Sequence, residues 1–242
     1  QAGDRRWLRA YGGFPHPNVF GTALLVATIA MTLFIRPWAG LRRILLTSYF
    51  LLLTFALVLT FSRAAWLGYL ALLAVLVMRR ASRDLAVVGA AAFAVFLLAT
   101  APLVAPRVTA RGALEERSIG ERRMGLNNAL LLSVIPPFFG TGLHAMPQAL
   151  MAFDRTRDPY TAQPVHSVPL LVIAEIGWMG IALVMLALIH VLPRGIPWRW
   201  EWLPLLPPLL FDHAMWSLAV GGALVLAFAV VSVRGSLHAA NT

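Results

Sequence analysis

The chain has 242 residues, 60% of them hydrophobic and 12% charged, with a net charge of +10 and a mean hydropathy of +0.77. A soluble domain of this length has no means of hiding so much apolar surface, so hydrocarbon must solvate part of it. The chain has no lysine, and its arginines gather between apolar runs rather than on a solvated face with interleaved aromatics, which excludes nucleic acid as a partner.

Gln1 opens a polar segment without a signal-peptide pattern, so further membrane helices are expected upstream. His16 lies between Pro15 and Pro17 in a rigid turn, and Asn18 is placed to cap the helix that follows. Taken alone, His16 reads as an interfacial residue at a helix start.

Apolar stretches follow at 19–35, 44–61, 64–78, 85–104, 168–192, 203–216 and 218–233. Their lengths suit membrane spans of ~20 residues, although 64–78 is short and Pro204, Pro207 and Pro208 interrupt the sixth stretch. The expected fold is an all-α integral membrane protein, a polytopic bundle of about seven spans forming one membrane domain over 1–242. Short connections carry Arg36, Arg42 and Arg43, then Arg79, Arg80 and Arg83, then Arg194 and Arg199, and finally Arg234. Under strict alternation all of these fall on one side, which is therefore cytoplasmic. The opposite side receives residues 1–18, the Ser62-Arg63 turn, a long loop at 105–165 and the Asp212-His213 turn.

Arg63 has no loop to sit in. Flanked by two apolar runs, it must lie at or just below the membrane surface, where an arginine at mid-bilayer depth costs ~2.5–3.5 kcal/mol unless paired or hydrated. That makes a functional role the default reading, against a snorkelling residue that only marks the interface.

The long loop is arginine-rich at 107–123 and carries an expected helix at 121–135, stopped by Pro136 and Pro137. Met124, Leu126, Leu130, Leu131 and Val134 suit a helix lying on the bundle or in the interface. Gly120-Glu121-Arg122-Arg123 would open this helix, and guanidinium groups at a helix N-terminus suit a phosphate anion. A solvated helix start with local Glu–Arg pairing is the competing reading. Residues 138–142 make a glycine-bearing turn.

His166 lies at the start of the fifth stretch, and Glu175 lies nine residues beyond, roughly 13 Å along a helix. A carboxylate at that depth calls for a polar partner, whereas Gly177 and Gly180 would permit close helix packing. A neutral imidazole beside arginines has the chemistry of a base. The sequence contains no HExxH, no Walker loop, no GxSxG, no cysteine and no carboxylate cluster for a metal, so neither metal nor cofactor is expected. What remains is arginine plus histidine: anion recognition with one proton acceptor. Apart from Glu175 the spans carry few polar groups, which ranks a transporter for an anionic substrate last.

Five blocks in this order carry a resemblance. They are His16-Pro17-Asn18 with Gly21; Ser62-Arg63 with Gly68; Glu121-Arg122 followed by Pro137-Phe138-Phe139-Gly140-Thr141-Gly142; His166 followed by Ala174-Glu175-Ile176-Gly177 and Gly180; and Phe211-Asp212-His213 with Trp216. The chain resembles the O-antigen ligase and polymerase superfamily, membrane glycosyltransferases of bacterial envelopes. It departs from that pattern at Ser167, where the family has Asn, at Leu126, where an aromatic is usual, and at Pro136.

The resemblance implies a C-type glycosyltransferase architecture in the bacterial inner membrane with the site facing the periplasm. It implies transfer of a glycan from a polyprenyl-diphosphate donor to an acceptor hydroxyl on a glycan or lipid, without a metal, in polysaccharide biosynthesis. His166 would be the catalytic base. Arg63, Arg122 and Arg123, joined by His16 and Asn18, would bind substrate, with Glu175, Asp212 and His213 in supporting roles. The alternative is a non-catalytic scaffold or accessory subunit that keeps the bundle and serves partner subunits.

Overall fold

The computed structural model describes residues 9–33, 40–79, 83–109, 113–135, 138–156, 161–191, 200–217 and 221–223. Arg36, Arg80, Arg194, Arg199, Arg234, Pro136 and Pro137 lie outside the described residues, as does the seventh apolar stretch apart from 221–223. Among the described residues every regular element is helical. The chain divides into two compact units, one drawn from Gln1–Arg111, Trp200–Pro208 and Val220–Thr242, the other from Gly112–Arg199 and Leu209–Ala219.

The first unit contains α1 (Pro17–Leu33), α2 (Leu41–Leu59), α3 (Arg63–Met78), α4 (Arg83–Ala99), α5 (Ala101–Thr109) and a 3₁₀ segment at Trp200–Leu205. α2 packs on α4 and α1, and α3 packs on α4, α1 and the 3₁₀ segment. Leu25, Ile29, Phe50, Leu57, Tyr69 and Leu72 form the centre of its core. α2 buries Phe50, Leu53, Leu57 and Val58 on one side and exposes Leu41, Ile44, Leu45, Leu52 and Phe55 on the other. A helix apolar all round, with only one side covered by protein, needs hydrocarbon on the other.

The apolar stretch expected at 85–104 is two helices. Pro102 has no N–H to give the Leu98 carbonyl, so α4 ends at Ala99 and α5 restarts beyond Thr100. Arg43 and Asp84 pair at 3.3 Å between the starts of α2 and α4. Arg63 follows the opposite end of α2, roughly 28 Å away along a helix of 19 residues.

The second unit contains α6 (Ala113–Val134), α7 (Met146–Phe153), α8 (Val168–Val191) and α10 (Ala214–Ser217). The intervening α9 spans Leu206–Phe211. Leu132, Met146, Leu150, Val165, Leu171 and Ala174 form the core of this unit. α6 starts at Ala113, not at Glu121, because the charged residues before Gly120 include good helix formers such as Glu115 and Glu116. α7 was not expected; Pro147 sits in its first turn, where its missing N–H costs nothing.

Two helices are long and apolar enough to cross a membrane, Leu41–Leu59 and Val168–Leu186. Pro17–Thr32, Arg63–Met78 and Trp202–Phe211 are apolar but shorter. The sixth stretch is not one helix: prolines 204, 207 and 208 divide it into the 3₁₀ segment and α9, and the Asp212-His213 break separates α9 from α10.

Candidate functional site

In the first unit, the connection between α2 and α3 is three residues long. Thr60 stays helical, Phe61 takes a positive φ of 50°, and Ser62 becomes the N-cap of α3 with its hydroxyl accepting the Ala65 N–H at 3.4 Å. Arg63 is therefore the first residue of α3, half-exposed at the turn. Gly21 of α1 seats this turn, since a methyl there would stand 3.0 Å from both Thr60 Oγ1 and the Ala65 Cβ. Arg9 clips the turn from the chain's N-terminal side: its Nε donates to the Thr60 carbonyl at 2.8 Å and a terminal NH₂ to Asn18 Oδ1 at 2.6 Å.

Asn18 therefore does not cap α1 with its side chain. Instead His16 Nδ1 accepts the Asn18 backbone N–H at 3.1 Å, an imidazole in the place usually taken by a short oxygen side chain. Both residues hold the α1 start and the neighbouring turn in shape.

In the second unit, α8 carries a break. Gly177 has φ 63° and ψ −177°, a conformation essentially confined to glycine. The break frees the carbonyls of Ala174 and Glu175 and the N–H of Met179. The 138–142 turn satisfies all three: Thr141 N–H donates to Ala174 at 2.9 Å, Gly142 N–H to Glu175 at 2.8 Å, and Met179 N–H to the Phe138 carbonyl at 3.0 Å. Gly140, also at positive φ, lies so close that a methyl on it would fall on the Glu175 carbonyl, and one on Gly177 would fall on Phe138. Of the two glycines expected to serve helix packing, Gly177 forms this backbone joint instead.

The joint holds Glu175 wholly buried, 1% exposed, with its carboxylate accepting the Trp216 indole N–H at 2.8 Å. That bond ties α8 to α10 and thereby fixes the Asp212-His213 turn. The ring centroids of His166 and His213 lie 5.0 Å apart, and one donor atom each from His166, Asp212 and His213 lies within 4.8 Å of the others. Asp212 is buried. His213 Nδ1 meets Ser217 Oγ at 3.0 Å. Burial pushes the His213 imidazole below its ordinary range, while the Asp212 and Glu175 carboxylates act in the opposite sense. His213 sits in the break between α9 and α10, outside the apolar helices.

Arg122 lies within the third turn of α6, not at its N-terminus, so the helix dipole lends it no anion-binding help. Glu121 pairs with Arg117 at 2.9 Å, one turn back along the helix. Arg122 nevertheless shares a stripe with Gly125 and Asn128. That stripe faces the segment bearing His166, because a methyl at Gly125 would stand 3.5 Å from the Val165 Cα. Arg123 is exposed on an adjacent face.

The second unit thus gathers His166, Asp212, His213 and Glu175, whose clustering no local spacing announces. Arg9, Ser217 and Asn128 were not expected. Arg9 had only the polarity of its segment to mark it, and Ser217 and Asn128 had no signal at all. A family model described as O-antigen ligase matches residues 48–185, more than half of the chain, which includes Arg63, Arg122, Arg123, His166 and Glu175 but not His16, Asn18, Asp212 or His213. No curated protein matches the chain, and no solved structure does.

Proposed function

The chain belongs to the O-antigen ligase family, and from that premise we propose that it transfers a glycan from a polyprenyl-diphosphate carrier to an acceptor hydroxyl, in the bacterial inner membrane with its chemistry on the periplasmic side. The observation that carries this reading is His166 with the Asp212 carboxylate and the His213 imidazole gathered within 4.8 Å. A histidine beside a buried carboxylate is a competent general base, because the carboxylate stabilises the imidazolium formed when it takes a proton.

In this mechanism His166 accepts the acceptor's hydroxyl proton as the oxygen attacks the anomeric carbon. The bond from that carbon to the diphosphate oxygen breaks, and the electron pair leaves with the diphosphate. Arginine suits that leaving group, since its planar fork bonds phosphate oxygens in pairs as charge develops on them. Arg122, on the α6 stripe facing the His166 segment, is assigned to that task, with the exposed Arg123 as an auxiliary cation. Arg63 is assigned to substrate binding on its own motif and its position at the α2–α3 turn. His16 and Asn18 shape that turn's surroundings.

The test is glycan transfer by the purified protein in detergent, supplied with a polyprenyl-diphosphate glycan and an acceptor. His166→Ala should lower turnover by ~10²–10⁴-fold while donor binding persists. Wild-type rates in that variant would remove His166 from the mechanism. Absence of transfer by the wild type with every supplied donor would replace the transferase with a membrane scaffold that serves partner subunits.

A further inference from the structure

The second unit offers more than one imidazole beside one carboxylate. His166, Asp212 and His213 offer two ring nitrogens and a carboxylate oxygen, all within 4.8 Å of one another. We propose that these three side chains form a binding site for a divalent transition-metal cation of the zinc type, and that a cation bound there inhibits the protein by occupying His166.

Four features support the site. The donor set of two imidazoles and one carboxylate matches zinc, cobalt, nickel and copper, and is too rich in nitrogen for magnesium or calcium, which take oxygen ligands. A metal-binding imidazole ordinarily holds its second ring nitrogen in a hydrogen bond that fixes its orientation, and Ser217, 3.0 Å from His213 Nδ1, would do this for a cation bound at Nε2. The charges suit a cation: Asp212 is buried, and Glu175 is buried close enough to bear on His213. Finally, the ligands are pre-positioned, because the Glu175–Trp216 bond at 2.8 Å anchors α10 to α8 and with it the turn that carries two of the three. Pre-positioned ligands bind more tightly because less ordering is left to be done on binding. Glu175 itself is engaged by Trp216 and serves as the anchor, not as a ligand.

The inhibitory half rests on the reading of His166 as the base. A metal takes the same imidazole lone pair that would accept the hydroxyl proton, so the two uses exclude each other. Magnesium, which binds imidazole poorly, should leave transfer unchanged.

The test uses the full chain without a polyhistidine tag, in detergent, with Co²⁺ as the spectroscopic probe and Zn²⁺ as competitor. One equivalent of Co²⁺ should bind with the absorption of a nitrogen- and oxygen-ligated ion, be displaced by Zn²⁺ and be unaffected by Mg²⁺. Asp212→Asn and His213→Gln should each weaken binding at least tenfold. Ser217→Ala, which leaves all three ligands in place, should weaken it by ~10-fold or more through the loosened imidazole. Zn²⁺ should also raise the melting temperature of the wild type but not of His213→Gln, a readout that identifies a variant that has failed to fold. Absence of Co²⁺ binding by the wild type, or undiminished binding by both ligand variants, would overturn the site. Binding that leaves transfer at its metal-free rate would overturn the inhibition. The binding arm needs neither donor nor acceptor, so its failure is distinct from failure of the transferase reading.

Discussion

The Trp216 indole donates to the Glu175 carboxylate at 2.8 Å, joining two residues 41 positions apart. Glu175 is 1% exposed, so its carboxylate depends on such partners. Trp216→Phe removes the donor and keeps most of the ring, leaving a buried acceptor unsatisfied at a cost of ~1–3 kcal/mol. Glu175→Gln keeps an oxygen for the indole and should cost less. Thermal unfolding of both variants in one detergent checks the order, and equal losses would contradict the bond's importance.

The two glycines of the backbone joint should behave unlike a glycine in open space. Gly177→Ala and Gly140→Ala put a methyl into facing backbone and force a residue with Cβ into a glycine conformation, which alone costs ~1–3 kcal/mol. Gly120→Ala, within α6 and with nothing near its Cβ position, should stabilise by up to about 1 kcal/mol. Melting temperatures that move the same way in all three would refute the joint.

Arg9→Gln should loosen the turn that precedes α3. The Thr60 carbonyl and Asn18 Oδ1 both lose their guanidinium donor. Amide hydrogen exchange at Ser62 to Trp66 should accelerate while exchange in the centre of α2 is unchanged. Unaltered exchange at the turn would show that Arg9 only lies against it.

Arg63→Lys keeps the positive charge at the start of α3 but replaces a planar fork with a point charge. For a residue that holds a diphosphate this is not a conservative change. Transfer should fall at least tenfold, with KM for the donor raised, while the melting temperature stays within about one degree of the wild type. Normal transfer would confine Arg63 to anchoring the helix at the membrane surface.

The parts of the fold that depend on composition were legible in the sequence. α2 and the first half of α8 follow from unbroken apolar runs, and the three-residue turn before Arg63 follows from the lack of room for a loop. The break at Gly177 was not legible, because a glycine in an apolar run reads equally well as a contact between helices. Only the arrival of the 138–142 turn, with donors for the freed carbonyls, distinguishes the two. The start of α6 differs from the expected opening at Glu121: the helix begins eight residues earlier, at Ala113, since a charged stretch carries no apolar periodicity to mark it. At α1 the pattern favoured Asn18 as the cap by residue type, yet His16 takes that place and leaves Asn18 to Arg9. The grouping of His166 with His213 depends on the distant Glu175–Trp216 bond, which no local pattern specifies.

The joint between the 138–142 turn and α8 also sets an order of events during synthesis. Thr141 donates to Ala174, a residue made 33 positions later. At a translation rate of about 5–20 residues per second, the Thr141 and Gly142 amides must wait ~2–7 s for their carbonyls. Until then the turn has only water to bond, so it stays on the wet side of the bilayer while its partner helix is still being made. Docking therefore precedes the Glu175–Trp216 bond, whose indole is made 41 positions after the carboxylate, and His166, just before α8, gains its final surroundings only after that.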